Sequence, residues 1–214
     1  MLKSTPARTL GVDGKVSEMC DRDIRLALRK RLDLAHQCEQ STLVIEELGL
    51  CEGAARVDIA VINGSIEGYE IKSERDTLYR LRGQVEIYNK TLNKVTIVAG
   101  TQHIKRVAEL VPDWWGVEEV SFENGDVAFH PRRKPSLNPC VDPHSVVQLL
   151  WREEAIEVLK DLGLSKGVLT KPRAAIWSKL ADSLSVEELC SVIRECMLSR
   201  GDWRSSADAV RELL

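Results

Sequence analysis

RVDIAVINGSIEGYEIKSERDTLYRLRGQVEIY, residues 56–88, is the stretch whose reading decides the fold. ARVDIAVI (55–62) and IEGYEIKS (66–73) are rich in β-branched and apolar residues, with the turn-forming NGS between them. That pattern reads as a β-hairpin. Yet Asp58, Glu70 and Lys72 interrupt runs that otherwise look buried. Side chains alternate along a strand, so Glu70 and Lys72 share a face and Ile71 takes the other. Whether Asp58 joins them depends on register. A two-residue Asn63-Gly64 turn would pair 62 with 65 and send Asp58 and Glu70 to opposite faces. A three-residue loop pairs 62 with 66 and sets Asp58 opposite Glu70. A bulge at Gly68 would do the same. One of these two devices is expected.

Two carboxylates brought together repel, and a divalent cation relieves the repulsion. All-oxygen ligation suits Mg²⁺ or Mn²⁺, held by Asp58, Glu70, the Ile71 carbonyl and waters. Such a metal acidifies bound water, and Lys72 can orient that water or stabilise a pentavalent phosphate. The chemistry expected is hydrolysis of a phosphodiester. The plain alternative is a Glu70–Lys72 salt bridge on an exposed edge strand, with Asp58 as cross-strand neighbour. A Glu-x-Lys triplet alone arises by chance about once in a chain of this length. Asp58 on the partner strand adds weight to the functional reading.

VDIAVINGSIEGYEIK resembles the core motif of the PD-(D/E)XK nuclease superfamily, with an Asp on one strand and Glu/Asp-x-Lys on the next. QVEIY places Gln84 four residues before Tyr88. This is similar to the Q-x-x-x-Y motif of the RecB-type branch, where both residues contact DNA or support the catalytic lysine. On a helix, residues i and i+4 share a face. EIKSERDTLYRL together with VPDWWGV is similar to a little-studied bacterial family of small proteins in that superfamily, from about Asp21 into the C-terminal region. The resemblance implies a restriction-endonuclease-like α/β fold, a mixed central sheet flanked by helices. It implies a Mg²⁺- or Mn²⁺-dependent deoxyribonuclease with Asp58, Glu70, Lys72, Gln84 and Tyr88 catalytic, in repair, phage defence or mobile-element processing. A further acid is expected at Glu46 or Glu47, which should point to opposite faces; Glu46 is favoured. His36 matches an upstream histidine in order. Val57 stands where the motif has proline. The competing readings are a non-cleaving nucleic-acid- or protein-binding module on a nuclease-like fold, and an adaptor dominated by its C-terminal helices.

Around this centre, residues 1–20 read as a loose arm and 21–130 as the nuclease-like domain. Asp21 could cap a helix to about His36, with Ile24, Leu28, Leu32 and Ala35 as its apolar stripe. Arg25 and Arg29 on another face of that helix, with Arg56, Arg75 and Arg80 near the hairpin, are candidate phosphate contacts. STLVIEELGL reads as a strand, Thr77–Lys90 as a helix with Asp76-Thr77 as its cap, and KVTIVAG as a buried strand. TQHIKRVAELV fits a short helix, and GVEEVSF with DVAFH fits a terminal hairpin. Trp114 and Trp115 read as packing residues, and His103 and His130 as structural. Residues 131–141 form a linker, opened by the proline-rich, basic PRRKPSLNP.

Residues 142–214 form a helical C-terminal domain. Asp142-Pro143 opens a helix to about Leu162, and Thr170 precedes a second. Ser185 with Glu188 is a capping box for a third, and a short last helix follows Ser205 or Ser206. A helix-turn-helix there would lack a clear basic recognition helix. These helices read instead as a packing or partner-binding module, through which the chain could form a homodimer. The 214 residues are 43% hydrophobic and 29% charged, with a net charge of −3, as expected of a folded cytoplasmic protein that does not coat nucleic acid broadly. No apolar run reaches bilayer-spanning length. Six scattered cysteines without metal spacing read as reduced thiols. DNA is the expected partner, in a local groove.

Overall fold

The computed structural model describes residues 20–39, 41–123 and 125–200. Among them are six strands in one mixed sheet and seven helices, an α/β architecture. The arm before Cys20 and the last expected helix lie outside the described residues. The hairpin strands are β2 (Ala55–Ile62) and β3 (Ile66–Lys72), preceded by β1 (Leu43–Leu50). The pairing Ile62↔Ile66 leaves Asn63-Gly64-Ser65 as a three-residue loop, the wider of the two turns considered. Gly68 pairs regularly with Ala60, so it is no bulge. Its role is close approach: a Cβ there would lie 2.5 Å from Leu92 Cδ1 and 3.1 Å from Val57 Cγ2.

Next come α2 (Leu81–Thr91), β4 (Lys94–Gly100), α3 (Ile104–Leu110), β5 (Gly116–Glu123) and β6 (Asp126–Arg133). The sheet order is β1-β2-β3-β4-β5-β6. β3, β4 and β5 run parallel, and β4 is the nearly all-apolar strand that a two-sided burial demands. α1 (Asp21–Ala35) covers one face, where Ile24, Leu28 and Leu32 pack on Val44, Ile59, Val61, Ile71, Val98 and Val120. Ala35, expected in that stripe, is exposed.

The opposite face carries α2, α3 and the C-terminal helices: α4 (Pro143–Val146), α5 (Arg152–Asp161), α6 (Arg173–Ala181) and α7 (Val186–Ser199). Val146, Leu150, Leu159, Trp177, Leu180, Ile193 and Met197 share one buried cluster with Ile45, Leu48, Leu92 and Ile97 of the sheet side. Ser185 caps α7 by accepting the Glu188 N–H, as the capping box requires.

Several boundaries differ from expectation for local reasons. Cys20, not Asp21, occupies the N-cap of α1, and the Asp23 carboxylate takes the Cys20 N–H at 3.0 Å. The expected helix from Thr77 begins only at Leu81. The Asp76 carboxylate accepts the Ser73 N–H at 2.8 Å and its hydroxyl at 2.6 Å, closing a turn rather than capping a helix. The single helix expected from Pro143 to Leu162 breaks at Leu150, whose backbone is extended and whose carbonyl accepts the Trp177 indole N–H. Glu154 then caps a new start at Trp151. Residues 131–133 belong to β6, held by Arg133 donating to the Trp115 and Pro112 carbonyls. α6 starts after Pro172 rather than Thr170. No helix among the described residues is long and apolar enough to cross a membrane.

Candidate functional site

The hairpin creates the site by coming apart. Pairing of β2 with β3 ends at Ile59↔Tyr69, although both strands continue. Extending that register one step sets Asp58 opposite Glu70. In place of the next ladder bond, Asp58 Oδ2 accepts the Ile71 N–H at 2.7 Å. Asp58 Oδ1 accepts from Arg25 of α1 at 2.7 Å, and Arg25 also donates to the Asp58 carbonyl at 3.1 Å. Both oxygens of Asp58 are thus engaged by donors of the chain itself.

Glu70 is 1% exposed and Lys72 6%. Glu70 Oε1 accepts from Lys72 Nζ, and from Gln84 Nε2 at 2.7 Å. Glu70 Oε2 accepts the Tyr88 hydroxyl at 2.6 Å. Tyr88 also reaches the Arg56 carbonyl at 2.7 Å, and its ring stacks on Trp115 with centroids 5.8 Å apart. Trp115 is in turn fixed by its indole N–H on Asn89 at 3.0 Å, so it packs rather than presenting a base platform. Burial first, then the charge of Asp58, push the Glu70 carboxyl above its usual range, while Lys72 pulls it down. Burial and the Glu70 charge push the Tyr88 phenol up, so it remains a hydroxyl donor. The buried Gln84 Oε1 has no hydrogen-bond partner among the described residues. The amide orientation follows from Glu70, which needs the NH₂.

Arg25 gathers three acids. Besides Asp58 it meets Glu47 at 2.6 Å and Asp21 at 3.3 Å. Glu47 reaches this position because its φ is +56°, a left-handed conformation that is strained for a residue with a Cβ. The expected clean alternation of Glu46 and Glu47 therefore breaks, and Glu47, not the favoured Glu46, lines the cleft. Glu46 is 41% exposed at its side chain and pairs with Arg29 at 3.3 Å. Arg29 is held there and by Asp33, away from the cleft. Burial, with the charges of Asp58 and Asp76, pushes the Asp21 carboxyl up against the pull of Arg25. His36 pairs with Glu39 and lies outside the cleft lining. His130 pairs with Glu123 on the β5–β6 hairpin.

Together these groups line a cleft of about 1010 Å³ between the splayed strands and α2. Of the expected residues, Asp58, Glu70, Ile71, Lys72, Gln84, Arg25, Arg56 and Arg80 line it, and Tyr88 backs it. Arg75 is exposed and is not among the lining residues. Glu47, the less favoured of the two acids considered, lines it, and Asp21, Tyr79 and Gly83 line it unforeseen. Asp21 was readable as the i−4 neighbour of Arg25 on one helix face. Tyr79 was readable as the aromatic between Leu78 and Leu81, both needed by the core.

The charges are largely sorted by depth, with exposed Glu86 on the lining as the exception. The deep carboxylates are neutralised by Arg25, Lys72 and hydrogen-bond donors. At the mouth, Arg56 has a side chain 63% exposed and only a loose 3.6 Å contact to Glu47. Arg80, also on the lining, is exposed and makes no ion pair with a described residue, whereas Arg82 is exposed but is not a lining residue. Mg²⁺ or Mn²⁺ does not fit this donor set as arranged. All four oxygens of Asp58 and Glu70 are taken, two cations already balance them, and among the described residues no group of three or more His, Cys, Asp or Glu side chains is placed to hold a metal ion; the three acids around Arg25 are drawn together by its guanidinium.

The family model described as Bacteriophage P4 protein cII matches residues 16–209. Protein cII of Enterobacteria phage P4 is 28% identical over 145 residues, covering 68% of this chain and 54% of that protein. The chain thus spans about half the length of the curated relative it matches. No solved structure matches the chain. These similarities overturn the resemblance to the PD-(D/E)XK superfamily and, with it, the assignment as a metal-dependent deoxyribonuclease. The physical reason lies in the motif itself. Asp, Glu-x-Lys and a helical glutamine and tyrosine are also what a saturated, buried ion-pair network requires.

Proposed function

The chain belongs to the bacteriophage P4 protein cII family, and from that premise we propose that its cleft binds DNA without cutting it. The observation that carries this reading is the placement of charge: Asp58 and Glu70, deep in the cleft, are satisfied, while Arg56 and Arg80 stand exposed on its lining, where they can meet an anion. Guanidinium forks match phosphate oxygens and keep their charge at any working pH. A net charge of −3 for the whole chain favours a local contact over broad coating.

The inner network has a positioning role here. Glu70, held by Tyr88 and Gln84, ties α2 to β3, and Arg25 ties α1 to β2 at Asp58. Arg80 is thereby carried at the head of a helix that is fixed to the sheet. The scaffold is a six-stranded mixed sheet with helices packed on it, used for binding.

The test is fluorescence anisotropy of a labelled oligodeoxynucleotide titrated with the full chain at several salt concentrations. Affinity should fall linearly in log–log form with salt, because each neutralised phosphate releases counterions. Arg56→Ala and Arg80→Ala should each lower that slope by roughly one. Binding that is absent at low salt, or that ignores both arginines, refutes the reading.

A further inference from the structure

We infer that the DNA taken by this cleft is a single strand, its backbone laid over Gly83 and one base stacked on Tyr79. The inference rests on the DNA-binding reading and adds the class of strand.

Tyr79 is 91% exposed at the cleft mouth, next to Arg80. An aromatic ring so fully in water is unusual, because burial of such a ring is strongly favourable. Its position is not loose. Leu78 before it packs on the core, Leu81 after it is fully buried, and the Leu81 N–H bonds the Leu78 carbonyl at 3.1 Å. The Ser73–Asp76 turn fixes the start of the same loop. The ring is therefore held outward by its neighbours, with its faces open.

Gly83 is the second, independent observation. It lies inside α2 on the side that faces the cleft, with Arg80 one turn before and Ile87 one turn after. Glycine weakens a helix relative to alanine. Nothing in the fold demands it here: a Cβ at Gly83 would meet no atom within 4 Å, and its φ is not left-handed. A bare stretch of helix in front of a cleft suits close approach of a ligand backbone. Stacking on a tyrosine needs an unpaired base whose face is free, which a duplex interior does not offer. Arginine for phosphate, glycine for approach and tyrosine for a base are the parts of a single-strand site.

The experiment compares a labelled oligodeoxythymidine with a labelled, loop-closed hairpin duplex, using anisotropy and the full chain. Tyr79→Ala should weaken single-strand binding by roughly tenfold, while Tyr79→Phe should retain it, since both aromatic rings stack. Gly83→Ala should raise the melting temperature by a few degrees yet weaken single-strand binding severalfold. A residue with only a structural role would not move those two readouts in opposite directions. Single-strand binding indifferent to both Tyr79→Ala and Gly83→Ala overturns this inference and leaves DNA binding standing. Preference for the duplex overturns it in the same way. Failure of the wild type to bind either DNA overturns the DNA reading itself, and this one with it.

Discussion

Replacing Lys72 with methionine keeps a long side chain and removes its charge. Glu70 then stays buried with no cation against it. Breaking one side of a buried ion pair costs about 3–5 kcal/mol. Glu70 keeps the Tyr88 hydroxyl and the Gln84 amide as donors, which places the loss near the lower end, about 3 kcal/mol. With a urea slope of about 2 kcal/mol/M, the midpoint should drop by about 1.5 M at neutral to alkaline pH. The pH dependence has a defined sign. The folded-state Glu70 carboxyl already lies above its unfolded value, and loss of Lys72 raises it further. The penalty on the ionised form is complete above that folded value and fades as pH falls through it toward the unfolded one. The deficit of Lys72→Met should therefore be largest near pH 8 and shrink in acid. Adding Glu70→Gln should restore much of the stability, because a neutral amide needs no counter-charge. A Lys72→Met variant as stable as the wild type near pH 8, or a deficit flat with pH, would refute the buried pair.

Other expectations follow from the same geometry. Arg25→Gln removes the shared cation of Asp21, Glu47 and Asp58 and should cost about 2–3 kcal/mol by thermal melting; a double-mutant cycle with Asp58→Asn should show coupling. Gly68→Ala drives a Cβ into Leu92 and should cost about 1–2 kcal/mol, with an unchanged melting temperature showing that the core can yield there. Glu86→Gln removes an exposed negative charge from the cleft lining and should tighten DNA binding, most clearly at low salt. Millimolar Mg²⁺ or Mn²⁺ should leave the melting temperature unchanged, since a ligand that binds only the folded state would raise it.

The hairpin was legible because period-two burial and turn chemistry restrict its register to few choices. The count around Asn63-Gly64-Ser65 required either a wider loop or a bulge at Gly68, and Ile62↔Ile66 is the loop. Capping chemistry was equally readable at Ser185, where side chain and backbone act within three residues. What escaped was set by tertiary contacts. Glu47 reaches the cleft through a left-handed backbone that alternation does not foresee. The late start of α2 depends on Asp76 turning back to Ser73, and the break at Leu150 on an indole from Trp177. The gathering of Asp58, Glu70 and Lys72 was anticipated from register, and that of Gln84 and Tyr88 with them only from the resemblance, whose chemical reading did not hold. Spacing says which side chains converge; it does not say whether Arg25 and Lys72 already neutralise them.

The central claim is binding without cleavage, and one titration addresses both halves. A fluorescein-labelled single strand is titrated with the full chain at low salt in the presence of Mg²⁺ and then of Mn²⁺, and each sample is run on a denaturing gel after its anisotropy is read. The account predicts saturable binding, lost with Arg56→Ala and Arg80→Ala combined, and full-length DNA in every lane. Flat anisotropy at low salt, or shortened DNA that disappears with Lys72→Met, would contradict it.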